Sequence, residues 1–269
     1  LKFSNGFSGE YKIEDIPEDL KKKAEEHRIE LVEAVAESDD KLIEKYLNEG
    51  ILSDDEIKSG LRRAVLNGII IPVMCGSAVK NISVQSLLNA IVEFLPSPKD
   101  MPLIKGKKPG KDEEIAREVS ENAPFSALVF KTIVDPYAGK LTLFRVYSGA
   151  CNSDSSVFNS SRDVDERMGH IFSIAGKRHL AVARVIAGDI GGVAKLKHTM
   201  TGDTLCSEKD PITFEPIRFP TPVISLAIEP KTKADDEKVS LALSRLTEED
   251  PTLRITRDLQ TKEMLITGM

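Results

Sequence analysis

Phe125-Ser126-Ala127-Leu128-Val129-Phe130-Lys131-Thr132-Ile133 and, seven residues later, Leu141-Thr142-Leu143-Phe144-Arg145-Val146-Tyr147-Ser148 form the stretch on which the fold turns. Both runs read as strands, separated by an Asp-, Pro- and Gly-containing turn. Outward from them, residues 157–159, 170–175 and 192–197 repeat the signal between Gly and Asp turns. That is the spacing expected of a closed β-barrel. Residues 124–219 carry 12 basic and 10 acidic residues and eight of the chain's 17 glycines. Pro216, Pro220 and Pro222 mark the far boundary of this region.

Upstream the composition changes. Residues 17–68 hold 14 acidic and 9 basic residues and three glycines, and read as helical. Pro17 sits where a helix can begin, with Glu18 and Asp19 suited to its positive end. Leu20, Ala24, Leu31, Val35 and Leu42 recur at helical spacing. Ser53-Asp54-Asp55-Glu56 has the residue types of a capping box. The apolar run Ile69-Ile70-Ile71-Pro72-Val73-Met74-Cys75 predicts a buried strand over 73–75, followed by an amphipathic helix over 84–95. Strand then helix suggests the last unit of a parallel α/β sheet. Residues 99–122, with Pro102, Gly106, Pro109, Gly110 and a charge run, read as a linker. At the start, an Asn5-Gly6 turn predicts a hairpin.

Downstream, the order is strand (223–229), helix through Val239, Leu243 and Leu246 with Thr232 and Asp235 as cap candidates, then a hairpin over 253–267. These are the first four elements of the ferredoxin-like β-α-β-β-α-β unit.

Of the 269 residues, 37 are Lys or Arg and 43 are Asp or Glu, giving net −6. That argues against a wholesale polyanion binder but leaves a local basic face open. No run approaches the ~18 apolar residues of a membrane span, and no basic-then-apolar leader opens the chain. Three cysteines far apart fit a reducing cytoplasm better than a disulfide framework. Cys151 beside Asn152 and Ser153 has no ordered base at hand to make it a nucleophile. The four histidines show no metal spacing. The absence of an initiator Met and the strand-like ends read as a piece of a longer protein.

Several stretches carry a specific resemblance: Tyr46-Leu47, Cys75-Gly76-Ser77-Ala78, Asp135-Pro136-Tyr137-Ala138-Gly139-Lys140-Leu141 with Arg145-Val146-Tyr147-Ser148-Gly149, Ala187-Gly188-Asp189-Ile190, Thr201-Gly202-Asp203-Thr204-Leu205, and Glu229-Pro230-Lys231-Thr232-Lys233-Ala234-Asp235-Asp236. In this order and spacing the sequence resembles bacterial translation elongation factor G and its close paralogues over essentially the whole chain. The resemblance implies a multi-domain α/β plus β fragment. Residues 1–98 would be the C-terminal part of a P-loop GTPase domain with its helical insertion. Residues 99–122 would be a linker, 123–218 a Greek-key-type β-barrel (the second domain of translation factors), and 219–269 part of a ferredoxin-like third domain.

It also implies roles. In the intact protein the Ser77 and Ala78 loop would contact the guanine of GTP, although four small residues after a strand also make an ordinary turn. Lys177, Arg178, Lys195 and Lys197, with Arg162, Arg167 and Arg184 nearby in sequence, are candidates for phosphate contact with small-subunit ribosomal RNA. Glu25, Glu26, Glu33 and Glu37 are candidates for the ribosomal stalk protein. The intact protein would hydrolyse GTP with Mg2+ on the cytoplasmic ribosome and drive translocation of transfer and messenger RNA. Neither membrane nor DNA is expected as a partner. Residues 169–178 resemble divergent paralogues as much as the main factor, so a ribosomal-protection or release-type factor is the alternative. The sequence holds no G-x-x-x-x-G-K-[ST], no Asp-x-x-Gly in the switch position and no Asn-Lys-x-Asp. No catalytic residue is therefore expected within these 269 positions.

Overall fold

The computed structural model describes every residue except 1, 4–7, 136–138, 177, 231, 233 and 234. The predicted Asn5-Gly6 turn, the Pro136-Tyr137-Ala138 stretch and Lys177 lie outside the described residues. The chain divides into two units, Leu1–Asp100 and Met101–Met269.

In the first unit a short antiparallel pair, β1 (Lys2–Phe3) and β2 (Tyr11–Lys12), precedes four helices. These are α1 (Glu18–Glu37), α2 (Asp40–Glu49), α3 (Asp54–Leu66) and α4 (Val84–Phe94). The apolar repeat leading to Leu42 is broken at Ser38. The Asp39 side chain accepts from Lys41 N and Leu42 N at 3.0 and 3.2 Å, starting α2 afresh. Gly50, at φ +74°, closes α2 in the left-handed conformation. The capping box is realised: Glu56 N donates to Ser53 Oγ while Ser53 N donates back to Glu56. Val35, Ala36, Leu42, Leu52 and Ile57 form the core between α1, α2 and α3. Gly60 allows this closeness, since a Cβ there would lie 2.6 Å from Leu42 Cδ1 and 2.7 Å from Val35 Cγ1.

The expected strand over 73–75 is not formed. Residues 71–76 pair with no strand, and Ile71 and Val73 are 81% and 91% exposed. A strand needs a neighbour for its N–H and C=O groups and a face to cover its side chains. The described residues supply neither. Helix α4 forms as expected, but Leu87, Leu88, Val92 and Leu95 on it and at its end remain exposed for the same reason.

Acid should weaken this unit through Glu56. The hydrogen bond from Lys45, then the bonds from the Ser53 N–H and hydroxyl, hold its carboxyl down at about 2 against an ordinary 4.5. A depressed folded-state value means stability that is present above pH 4.5 and lost as pH falls from 4.5 toward 2. Circular-dichroism melts between pH 5 and 2 should therefore show a falling midpoint, and Glu56→Gln should flatten that fall. An unchanged slope in the variant would remove Glu56 from the account.

The second unit begins with a hairpin where a linker was expected, β3 (Ile104–Lys107) with β4 (Glu114–Arg117). Lys107 pairs with Thr213. Ile104 and Ile115 pack on Ile212, Phe214 and Cys206. The enabling residue is Gly106, where a Cβ would sit 2.6 Å from Ile212. A segment of mixed Lys, Gly and Asp thus becomes structure because its partner lies about a hundred residues away.

The barrel follows: β5 (Ser126–Asp135), β6 (Gly139–Ser148), β7 (Ala150–Asn152), β8 (Ser156–Asn159), β9 (Val164–Arg167), β10 (Ile171–Ala175), β11 (Arg178–Val182), β12 (Arg184–Ile186), β13 (Ile190–Ala194) and β14 (Thr204–Cys206). Eight form one antiparallel sheet in the order β11-β10-β13-β6-β5-β14-β8-β9, and β12 pairs with β7. Both sheets feed one core, including Val129, Phe144, Val146, Met168, Ile171, Val185, Val193 and Leu205. Bulges shift the β5–β6 register near Ala127 and between Val129 and Lys131, the local bends that let a sheet curl.

The last part comprises β15 (Ile224–Ile228), α5 (Asp236–Glu249), β16 (Arg254–Arg257) and β17 (Met264–Gly268), with sheet order β15-β17-β16. Thr232 and Asp235 do not cap α5 as expected. Thr232 Oγ1 donates to Asp235 Oδ2 instead, at 2.7 Å, and Asp235 makes no side-chain cap bond. The far end of α5 meets the barrel, where Val134 N donates to Glu249 and Lys140 Nζ lies 3.8 Å from Glu248. No described helix is long and apolar enough to cross a membrane.

Candidate functional site

The predicted basic residues do not form one patch. Register pairs Ile171 with Val193 and Ala175 with Arg178. Arg178 therefore stands at the tip of the β10–β11 hairpin, and Lys195 lies past the opposite end of β13. At ~3.3 Å per residue, six positions separate them by about 20 Å. Arg184 pairs with Glu121 at 3.1 Å and Arg162 Nε with Asp203 at 2.6 Å. Arg178, Lys195 and Lys197 are exposed, and none has a salt-bridge partner among the described residues.

Lys195 and Lys197 belong to a loop with unusual support. Between them Leu196 is buried in the barrel core, so the flanking lysines point outward. Lys195 has φ +65°, a conformation that non-glycine residues seldom adopt. Its N–H donates to Lys140 O at 2.9 Å. The N–H groups of the next residues but one onward, 197 to 199, all end on Glu166 of β9. Lys197 N donates to Oε2 at 3.2 Å, and His198 N and Thr199 N donate to Oε1 at 2.6 and 2.9 Å. Thr199 Oγ1 adds a fourth bond at 3.0 Å.

A second buried carboxylate holds the loop's far side. Asp203 Oδ2 accepts from Met200 N at 2.9 Å, from Asn159 Nδ2 at 3.0 Å and from Arg162 Nε. Asn159 also donates to Thr199 Oγ1 at 3.1 Å, joining the two carboxylate groups. Buried polar atoms this well satisfied make a stiff network. Sequence reading missed Glu166; the one signal available was a Glu at an inward position of the alternating strand Val164-Asp165-Glu166-Arg167.

Comparison with known proteins places this geometry. The family model described as "Elongation factor G domain 2" matches residues 124–208. The model described as "Elongation Factor G, domain III" matches residues 219–269. This chain belongs to the elongation factor G family. A crystal structure of a protein from Thermus thermophilus is similar to it at 30% identity with a TM-score of 0.77, covering 97% of this chain. The present chain spans 37% of that solved chain's length. Both carboxylates, Asn159 and the whole Lys195–Met200 loop lie inside the elongation factor G domain 2 match.

The guanine-loop candidates lie in the first unit. Ser77 N donates to Ile82 O at 3.0 Å and Ile82 N returns the bond at 2.9 Å, making a closed turn. Ser77 Oγ accepts from Lys80 N at 3.4 Å. The Ala78 N–H meets no described acceptor and is exposed, so it is available to a base carbonyl. The sequence holds neither the G-x-x-x-x-G-K-[ST] nor the Asn-Lys-x-Asp motif by which such GTPases hold the phosphates and the base.

All four glutamate candidates are exposed on α1. Helical spacing puts Glu26, Glu33 and Glu37 on one stripe. Glu25 falls to the side of it, at a cleft of about 240 Å³ lined by Arg28, Ile29, Tyr46 and Ile51.

Cys151 is buried, and burial pushes its thiol up to about 11, so it remains protonated and inert. No group of three or more His, Cys, Asp or Glu among the described residues is arranged to hold a metal.

Proposed function

We propose that the chain works in protein synthesis as the ribosome-facing part of a translational GTPase. The whole protein binds GTP with Mg2+, hydrolyses it on the cytoplasmic ribosome and drives movement of transfer and messenger RNA. In this reading residues 1–98 belong to the GTPase domain with its helical insertion, 123–218 are the anchoring barrel, and 219–269 carry the state of the GTPase onward. The observation that carries the reading is the pair Lys195 and Lys197. Among the described residues their ammonium groups have no partner, and both lysines are exposed on a stiff loop within a chain of net charge −6. Two outward positive charges on a mildly basic barrel suit the phosphate backbone of folded RNA, which is recognised by shape and charge.

The acidic stripe of Glu26, Glu33 and Glu37, with Glu25 beside it, suits a Lys-rich face of the stalk protein, where opposite charge raises the rate of encounter. Arg178 on the β10–β11 hairpin is a separate RNA contact about 20 Å from the lysine pair. That hairpin is the segment that resembles divergent paralogues, and it supports the second reading, a ribosome-bound factor without translocation activity. Ser77 and Ala78 would touch the guanine through the Ala78 N–H.

One charge-reversal experiment tests both surfaces. Each phosphate contact contributes about 1 to the slope of log affinity against log salt. Lys195→Glu with Lys197→Glu should therefore flatten that slope by about 2 for binding to small ribosomal subunits. Reversing Glu25, Glu26, Glu33 and Glu37 should leave that slope alone and weaken association with isolated stalk protein. Unchanged small-subunit binding in the first variant would remove the loop, and unchanged stalk binding in the second would remove the stripe.

A further inference from the structure

Glu166 sits at the β9 edge of the eight-stranded sheet, where the ladder ends. It is 4% exposed, and among the described residues no Lys or Arg side chain pairs with it. Its carboxylate takes three successive backbone N–H groups of the loop after β13, plus the Thr199 hydroxyl. Successive N–H groups aimed at one point are what a backbone nest offers a bound anion. Here the anion is built in. The loop therefore has no N–H of residues 197–199 left for an external phosphate, and only its side chains can meet one.

We propose that Glu166 is the positioning residue of an RNA-docking loop. It holds Lys195 and Lys197 outward, on either side of the buried Leu196, before any RNA arrives. The ligand class is the phosphate backbone of structured RNA, met by two lysines whose backbone is preset. This rests on the reading of the loop given above and adds the residue that makes it competent. Three features frame the pinned segment. Lys195 is held at φ +65°. The loop returns into the core at Leu196. Its far side is tied down separately by Asp203 through Met200 N. With the pin in place, less freedom is lost on binding, so affinity rises without any added contact.

The test uses the 269-residue chain, purified small ribosomal subunits as the probe, and a salt titration. Glu166→Gln keeps the side chain's shape and one acceptor oxygen but turns an amide NH2 toward the donors of the other oxygen. These are Lys197 N if the amide oxygen takes the Oε1 place, or His198 N, Thr199 N and the Thr199 hydroxyl if it takes the Oε2 place. It removes none of the charges that would face RNA. Its line of log affinity against log salt should run parallel to that of the unaltered chain and lie roughly 3- to 10-fold lower. Lys195→Glu with Lys197→Glu should instead reduce the slope.

Amide exchange at residues 197–199 should quicken in Glu166→Gln while Val129 and Val146 keep their protection. If the lysine variant flattens the slope but Glu166→Gln falls on the line of the unaltered chain, the inference is overturned and the RNA reading survives. If the lysine variant changes nothing, the RNA reading fails and takes the inference with it. Should Glu166→Gln not fold, the unaltered chain decides. Slow exchange at all three N–H groups supports the pin, and exchange there as fast as at the exposed Asp112 amide overturns it.

Discussion

Phe144→Ala should destabilise the barrel by about 3–5 kcal/mol, the range found when a large buried aromatic is truncated and its cavity cannot collapse. Phe144 is fully buried in the common core of both barrel sheets. Its ring lies over β13 opposite Gly191, where a Cβ would approach Phe144 Cζ to 2.8 Å. The strands on either side of β6 are tied by ladders, so the wall cannot move in to fill the void. Urea unfolding followed by amide exchange at Val129, Val146 and Leu205 is the measurement. Leu180→Ala, at an exposed position on β11, should change stability by no more than ~0.5 kcal/mol. Gly191→Ala should harm the unaltered barrel and harm the Phe144→Ala variant less, because the two positions share one contact. A loss under ~1.5 kcal/mol for Phe144→Ala, half the usual minimum for such a truncation, would mean that the core is not organised around this ring.

The 269-residue chain should neither bind GTP tightly nor hydrolyse it. Magnitudes decide this. Of the guanine-loop donors, the Ser77 N–H is closed on Ile82, which leaves the Ala78 N–H and the Ser77 hydroxyl proton without a described acceptor. Two neutral hydrogen bonds contribute roughly 1–3 kcal/mol net. Millimolar affinity already corresponds to ~4.1 kcal/mol. No phosphate loop, switch motif or Asn-Lys-x-Asp is present to make up the difference. The segment leading into the loop is unpaired and exposed, so the loop is not held by a sheet as nucleotide sites are. Calorimetry or fluorescent-nucleotide titration with GTP, GDP and Mg2+ is the check. A micromolar dissociation constant would show that a nucleotide site exists elsewhere in the chain.

Both predictions depend on features that were legible to different degrees in the residues themselves. The capping box at Ser53 and Glu56, the helix begun at Glu18, and the β5–β6 pair could be read directly, because each is set by neighbours within a few positions. The family resemblance was legible for a related reason: its motifs are short, and their order survives without any structure. Strand-forming residues alone did not settle whether a strand exists. Val73 to Cys75 has the composition of a buried strand and stays unpaired, since hydrogen-bonding partners and a covering face must come from outside the segment. The reverse happened at residues 104–117, where a polar, glycine-containing stretch became a hairpin once Gly106 admitted Ile212.

The site divides in the same way. That the barrel region is mildly basic, and that Lys195 and Lys197 are candidates, followed from the sequence. That Arg178 stands about 20 Å from them was decided by the β10–β13 register. The role of Glu166 was out of reach in one dimension. It lies 31 to 33 positions from the N–H groups it accepts, and nothing local distinguishes it from a solvated glutamate. Chain chemistry determined which segments could be helix, strand or basic loop. Only tertiary packing decided which of them found partners, because a hydrogen bond or an apolar contact between distant residues exists only after the fold has brought them together.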